Sequence, residues 1–228
     1  MSNTFGTLLR LTTFGESHGE AIGGVLDGFP AGIAVDFDAV QAALDRRRPQ
    51  SASGSTTRRE PDKVRFLSGI FQGKTTGTPI AFMVENTNQC PADYAELEHL
   101  CRPSHADFVY REKYLHRDHR GGGRQSARIT LSRVVAGALA SQVLKTHGID
   151  IHAWVSQVGD MPIADGNLEA ASALFEQLRK EGDTVGGCIS CRISGCPIGL
   201  GEPEFGKLHA LLGSAMLSIN AARAFEVG

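Results

Sequence analysis

Two periods of apolar residues run along the chain. Short apolar or alternating runs bounded by turn residues predict strands over Ala21–Asp27, Val64–Phe71, Ile80–Glu85, Ile151–Val158 and Val185–Ser194. Helical spacing is clearest later. Asn167 is placed to cap a helix bearing Leu168, Ala171, Phe175 and Leu178, with Gly182 to end it. Ser126–His147 carries Leu131, Val134, Val135, Ala138 and Leu144 and stops at Gly148. A further helix from about Glu204 puts Phe205, Leu208, Leu212, Ala215, Met216 and Ile219 on one face. Asp36 or Asp38 caps a short helix through Val40, Ala43 and Leu44, which delivers Arg46, Arg47 and Arg48 at its C-terminus before Pro49. Between Thr87 and Gly123 neither period holds, and this predicts a long stretch of functional loops. No composition shift marks a linker and no repeat is found. The reading is one interwoven α/β or α+β domain over residues 1–228.

Composition narrows the class. Hydrophobic residues make up 41% of the 228, enough for a core, yet no run approaches the roughly 20 apolar residues of a membrane helix. The N-terminus lacks the basic start and apolar run of a secretory signal, and the five cysteines are read as reduced thiols in a cytoplasmic protein. The net charge of -2 hides an asymmetry: residues 46–133 hold 16 of the 23 Lys and Arg but only 9 of the 25 Asp and Glu. Thirteen of the 17 arginines lie there, and arginine's planar fork suits carboxylate and phosphate. A pI near 6.4 speaks against a general nucleic-acid binder and for a focused anion site.

Several motifs could carry that chemistry. Gly15-Glu16-Ser17-His18-Gly19 sets a histidine between small residues, where it could exchange a proton with a ligand or simply bond backbone in a turn. The same residues have the spacing of a nucleophile elbow, although the strand expected after them argues against its helix. Arg46-Arg47-Arg48 is joined by Arg58-Arg59 across a Ser/Thr/Gly-rich loop. Gly69 to Thr75 is one residue short of a nucleotide-phosphate loop. Arg102-Pro103-Ser104-His105-Ala106-Asp107 sets a second histidine beside an arginine and an acid. Gly121-Gly122-Gly123, with Arg120, Arg124 and Arg128 around it, is expected to lead directly into a helix N-terminus and bind an anion. Cys188-Ile189-Ser190-Cys191 falls within a predicted strand and is read as core or sheet-surface cysteine. No metal site is expected.

Taken in order, these motifs resemble chorismate synthase. Thr75-Thr76-Gly77-Thr78-Pro79, Gly182-Asp183-Thr184-Val185-Gly186-Gly187, Gly199-Leu200-Gly201-Glu202-Pro203 and Ala215 to Ala221 extend the resemblance over nearly the whole chain. It implies an α+β fold of β-α-β sandwich type and an anti 1,4-elimination of phosphate from 5-enolpyruvylshikimate-3-phosphate. It also implies reduced FMN as cofactor, NADPH as a reductant of the flavin in some members, and a cytoplasmic homotetramer acting on a phosphorylated small molecule, with no nucleic-acid or membrane partner. By resemblance His18 protonates the departing phosphate and His105 the reduced flavin. Arg47, Arg124, Gln125, Ser126, Asn220 and Ala221 contact the cofactor, and Arg46, Arg48 and Arg128 the substrate. Against the family's pattern, an arginine is replaced at Ser53, a serine at Gln125, a glutamate at Ile129, and a Lys-Gly pair at Arg223-Ala224. Relatives continue past the position of Gly228 through further flavin-binding segments. The expectation is therefore an N-terminal portion of the family's enzyme, the alternative a non-catalytic remnant that keeps an anion-binding fold.

Overall fold

The structure is a computed structural model that describes residues 3–48, 60–88 and 91–228. Its secondary structure is a mixture of helices and antiparallel sheets, the expected α+β class. The described residues form two compact units, one from residues 3–47, 60–88, 91–140 and 199–228, the other from 48 and 141–198.

The first unit is built on strands β1 (Thr4–Phe5), β2 (Arg10–Phe14), β3 (Ala21–Asp27), β4 (Val64–Phe66) and β7 (Ile80–Glu85), in the order β1-β2-β3-β7-β4, every pair antiparallel. Between β4 and β7 a small hairpin joins β5 (Ile70–Phe71) to β6 (Lys74–Thr75). Alternation in β7 sends Ile80, Phe82 and Val84 into the core, where they meet Ile22 and Leu26 of β3. Gly24 pairs with Phe82 in register, and a Cβ on Gly24 would lie 2.8 Å from the phenyl ring. Only glycine leaves the ring its place over the strand.

Helix α1 (Phe37–Arg47) is capped by Asp36, whose Oδ1 accepts the Ala39 N–H at 2.8 Å, and it buries Val40 and Leu44, four residues apart. Helix α2 (Asp107–Tyr114) lies in the stretch expected to be loops, preceded by a 3-10 segment over Pro91–Glu98. Helix α3 (Thr130–Thr146) buries Leu131, Val135 and Leu139, and buried Ser132 donates from Oγ to the Gly23 carbonyl at 2.8 Å, tying the helix to β3. The predicted strand Val64–Phe71 is split. Gly69 turns with φ of 79°, and a Cβ there would come within 2.7 Å of Ile80. The helix expected from Glu204 is also broken, into a 3-10 turn at Glu204–Gly206 and α5 (Leu208–Leu217). Phe205 and Leu211 of that segment stand exposed.

The second unit pairs β8 (Asp150–Val158) with β10 (Gly187–Ser194) and β9 (Met161–Pro162), again antiparallel. Helix α4 (Ser172–Glu181) follows a 3-10 turn that Asn167 caps through Oδ1 to the Glu169 N–H, and Gly182 ends it at φ of 68°. Val158, Ile163 and Ala171 form its small core with Val155, Leu174 and Phe175. Cys188 and Cys191 lie on β10 with exposed, free thiols. Among the described residues no helix is long and apolar enough to cross a membrane.

Candidate active site

A cleft of about 400 Å³ opens in the first unit. Its wall is assembled from the end of β2 with Phe14 to Glu16, from His105 to Asp107, from the Tyr110 and Tyr114 face of α2, and from Gly122 to Gln125. Segments about 110 residues apart in sequence thus meet, and Arg124 is the clamp. Its Nη1 donates to the Gly15 carbonyl at 3.1 Å, while Nη2 approaches Thr13 Oγ1 at 2.7 Å and the Thr13 carbonyl and Asn3 Oδ1 at 3.1 Å. These bonds leave Nε–H and one Nη1 hydrogen out of the five a guanidinium carries.

The glycine segment does not open a long helix as expected. Gly121 and Gly123 adopt φ of 61° and 51°, and two 3-10 turns, Gly123–Gln125 and Ala127–Ile129, come before α3 starts at Thr130. Nor do its three arginines converge. Arg120 folds back on Asp118 in a two-pronged pair, Nε to Oδ1 at 2.8 Å and Nη2 to Oδ2 at 2.6 Å, which lowers the Asp118 pKa. Arg128 turns inward, its Nη2 close to Glu60 and 2.9 Å from Asp62 Oδ1. Both carboxylates are buried and need a counter-charge, and Arg47 supplies a second one to Asp62 at 2.8 Å. Arg124 is thus the arginine of the three that lines the cleft with its charge not spent on a carboxylate in this arrangement.

Arg128 also reaches the other histidine's loop. Its Nε donates to Asn86 Oδ1 at 2.7 Å, and Asn86 Nδ2 donates to the carbonyls of Glu16 and Gly19 at 3.1 and 2.7 Å. The loop so held carries His18, which is buried. Ser17 Oγ lies 3.0 Å from His18 Nδ1, and the imidazole meets the Tyr94 ring edge-on at 4.7 Å. Gly121 packs against the same ring: a Cβ there would lie 2.1 Å from His18 Nδ1.

His105 is half-buried on the cleft wall, with Nδ1 2.9 Å from Asp107 Oδ1. Burial alone would push the Asp107 carboxyl up. The side-chain and backbone bonds from Arg102, with His105 beside it, outweigh that and hold it well below the usual carboxylate range. Arg102 is pushed up in turn, chiefly by its bond to Asp107. Its Nη2 also donates to the Gly121 carbonyl at 2.9 Å, so one guanidinium joins the His105 loop to the glycine that walls His18.

The other expected site residues fall around this centre. Gln125 lines the cleft and donates from Nε2 to the Tyr110 hydroxyl at 3.0 Å, while its carbonyl accepts Asn220 Nδ2 at 2.6 Å. Ala221 follows at φ of 64°. Ser126 spends its hydroxyl capping the second 3-10 turn, accepting the Arg128 N–H at 3.2 Å. Arg46 stands exposed at the end of α1 and Arg48 is half-buried just beyond it; neither lines the cleft. Arg58, Arg59 and Ser53 lie outside the described residues. Tyr94, Asp62 and Asn86 belong to none of the sequence motifs, and Glu60 only closes the Arg58-Arg59 run. A buried acid near an arginine run is the one signal that could have pointed to Glu60 and Asp62.

Comparison with known proteins bears on what this geometry does. The family model described as chorismate synthase matches residues 9–228. The chain is 55% identical to the chorismate synthase of Phocaeicola vulgatus and 54% identical to that of Bacteroides thetaiotaomicron; both matches cover 100% of this chain and 69% of the relative. A solved structure described as a crystal structure of chorismate synthase superposes with a TM-score of 0.73 at 25% identity, over 96% of this chain and 68% of that one.

Proposed function

The chain belongs to the chorismate synthase family, and from that membership we propose that it is a lyase converting 5-enolpyruvylshikimate-3-phosphate to chorismate by anti 1,4-elimination of phosphate, with the cleft of the first unit as its reaction site. The observation that carries this reading is the convergence of His105, Arg124 and Gly122–Gly123 on one cleft; His18 does not line it and lies buried against Gly121, the preceding glycine.

The family works with a reduced flavin, and the donor set suits one. Arg124 keeps two hydrogens for a phosphate, and Phe14, Tyr110 and Tyr114 offer rings to a flat heterocycle. Arg124 and Gln125, with Ser126, Asn220 and Ala221 beside them, would hold FMN. Bound there, reduced FMN supplies electron density for the elimination with no net redox change. His18 would give a proton to the phosphate oxygen as the C–O bond breaks; the electron pair of the broken C–H bond forms the second C=C of the diene, and its proton would be taken up by the base that the bound flavin supplies. His105 holds its proton at the cleft. Arg46 and Arg48, which do not line the cleft, are proposed as contacts of the substrate's charges on the family's pattern alone. Arg47 and Arg128, already facing carboxylates, keep the His18 loop in place. NADPH as flavin reductant and a cytoplasmic homotetramer complete the proposal on the family's pattern.

An anaerobic assay with photoreduced FMN and the phosphorylated substrate tests it. His18→Ala and His105→Ala should each lower turnover about a hundredfold or more, the size of a lost general acid. A variant that turns over normally removes that histidine from the chemistry.

A further inference from the structure

We infer that Asp107 is the positioning residue of His105, holding a proton on Nδ1 so that Nε2 is the nitrogen that exchanges. The inference rests on His105 being the proton-holding group of the cleft. It follows from counting hydrogens. Two polar atoms approach His105 Nδ1: Asp107 Oδ1 at 2.9 Å and Arg102 Nη2 at 3.2 Å. Arginine only donates, so an Arg102 bond would require a bare lone pair on Nδ1. Nη2 has two hydrogens, and Asp107 Oδ1 at 3.0 Å and the Gly121 carbonyl at 2.9 Å take both. None is left for the histidine. A bare Nδ1 would also set its lone pair against a carboxylate oxygen. Nδ1 must therefore carry the hydrogen and donate it to Asp107.

The carboxylate has little freedom to do otherwise. Its Oδ2 accepts Arg102 Nε at 2.8 Å and the Arg102 backbone N–H at 3.2 Å, and its Oδ1 also accepts Arg117 Nη1 at 3.2 Å. Arg117 is itself anchored on the carbonyls of Leu97 and Leu100. Fixed by two guanidiniums, the acid fixes the ring. Neutral, His105 offers a lone pair at Nε2; charged, it offers a proton there, so donor and acceptor are the same atom in both states.

Long-range ¹H–¹⁵N correlation on the whole chain with ¹⁵N-labelled histidine reads the tautomer directly. In its neutral form His105 should show a pyrrole-type Nδ1 and a pyridine-type Nε2. In Asp107→Ala the acceptor is gone and the Arg102 Nη2 hydrogen it held can turn to Nδ1, 3.2 Å away, so the pattern should reverse; Asp107→Glu should restore it. A pyridine-type Nδ1 in the unmodified chain overturns the inference, whether or not any variant folds. So does an unchanged pattern in a folded Asp107→Ala. The reading of the site is tested separately by His105→Ala. Normal turnover in that variant would remove His105 from the reaction and leave the tautomer result standing.

Discussion

At the scale of single residues, the site depends on where side chains are absent as much as on where they are present. Gly121 has a left-handed backbone, and the His18 imidazole occupies the space that a Cβ there would need. Gly121→Ala combines the cost of that conformation with overpacking against a buried ring and should destabilise the protein by roughly 2–4 kcal/mol, read from urea midpoints. An unchanged midpoint would mean that His18 moves aside at no cost and is not held by this wall. Arg124 is the converse case, a side chain with two roles. Its internal bonds pin Thr13 and Gly15, and the residue lines the cleft with two guanidinium hydrogens left over. Arg124→Ala should weaken FMN binding by about 1.5–3 kcal/mol, the worth of a charge-assisted bond, and titration calorimetry measures it. Equal affinity in a folded variant would restrict Arg124 to its structural role.

At the scale of elements, what could be read in the sequence is what local chemistry decides. β3, β7 and β10 lie where alternation and turn residues place them, and Asp36, Asn167 and Gly182 cap or end helices as their types predict. Helix α2 was hidden for a physical reason: its apolar residues Phe108 and Val109 are 55% and 58% exposed, so it shows no buried stripe. It ends at Leu115 with φ of 58°, where a glycine would have announced the stop. The two histidine motifs and the glycine segment were legible as candidates because each is contiguous. The fate of the arginines was not. Arg128 finds its partner 68 residues away at Glu60, and Arg47 finds Asp62 across 15, so no local pattern separates an arginine that meets a ligand from one that neutralises a buried acid. Helix α3 likewise starts later than the glycines suggest, since Ser126 and two 3-10 turns come first. The glycine segment was thus expected to bind an anion at a helix N-terminus, and that N-terminus lies instead at Thr130, beyond the two 3-10 turns.

At the scale of the whole molecule, the basic middle of a chain with net charge -2 has a consequence for acid stability. Part of that positive charge is neutralised within the window itself, by Asp107 and Asp118 among others, and both carboxyls are held below their ordinary range, Asp107 the more strongly. A carboxyl whose pKa is depressed by folding binds its proton later in the folded than in the unfolded chain. Its contribution is therefore complete above the unfolded value, about 3.9, and is lost as pH falls through that value toward the folded one. Denaturation midpoints should hold from pH 7 to about 5 and fall steeply below about 4. The Asp107 pair with Arg117 is buried on both sides, at 6% and 7% exposure, so Asp107→Asn should cost about 3 kcal/mol at pH 7 and flatten the acid limb. Asp27→Asn serves as the control: its pair with Arg10 is open to water at 38% and 53%, and breaking it should change stability by less than about 1 kcal/mol with the acid limb unchanged. If both variants keep the same acid limb as the parent, the steep fall comes from other carboxylates, and the Asp107 cluster positions His105 without stabilising the fold.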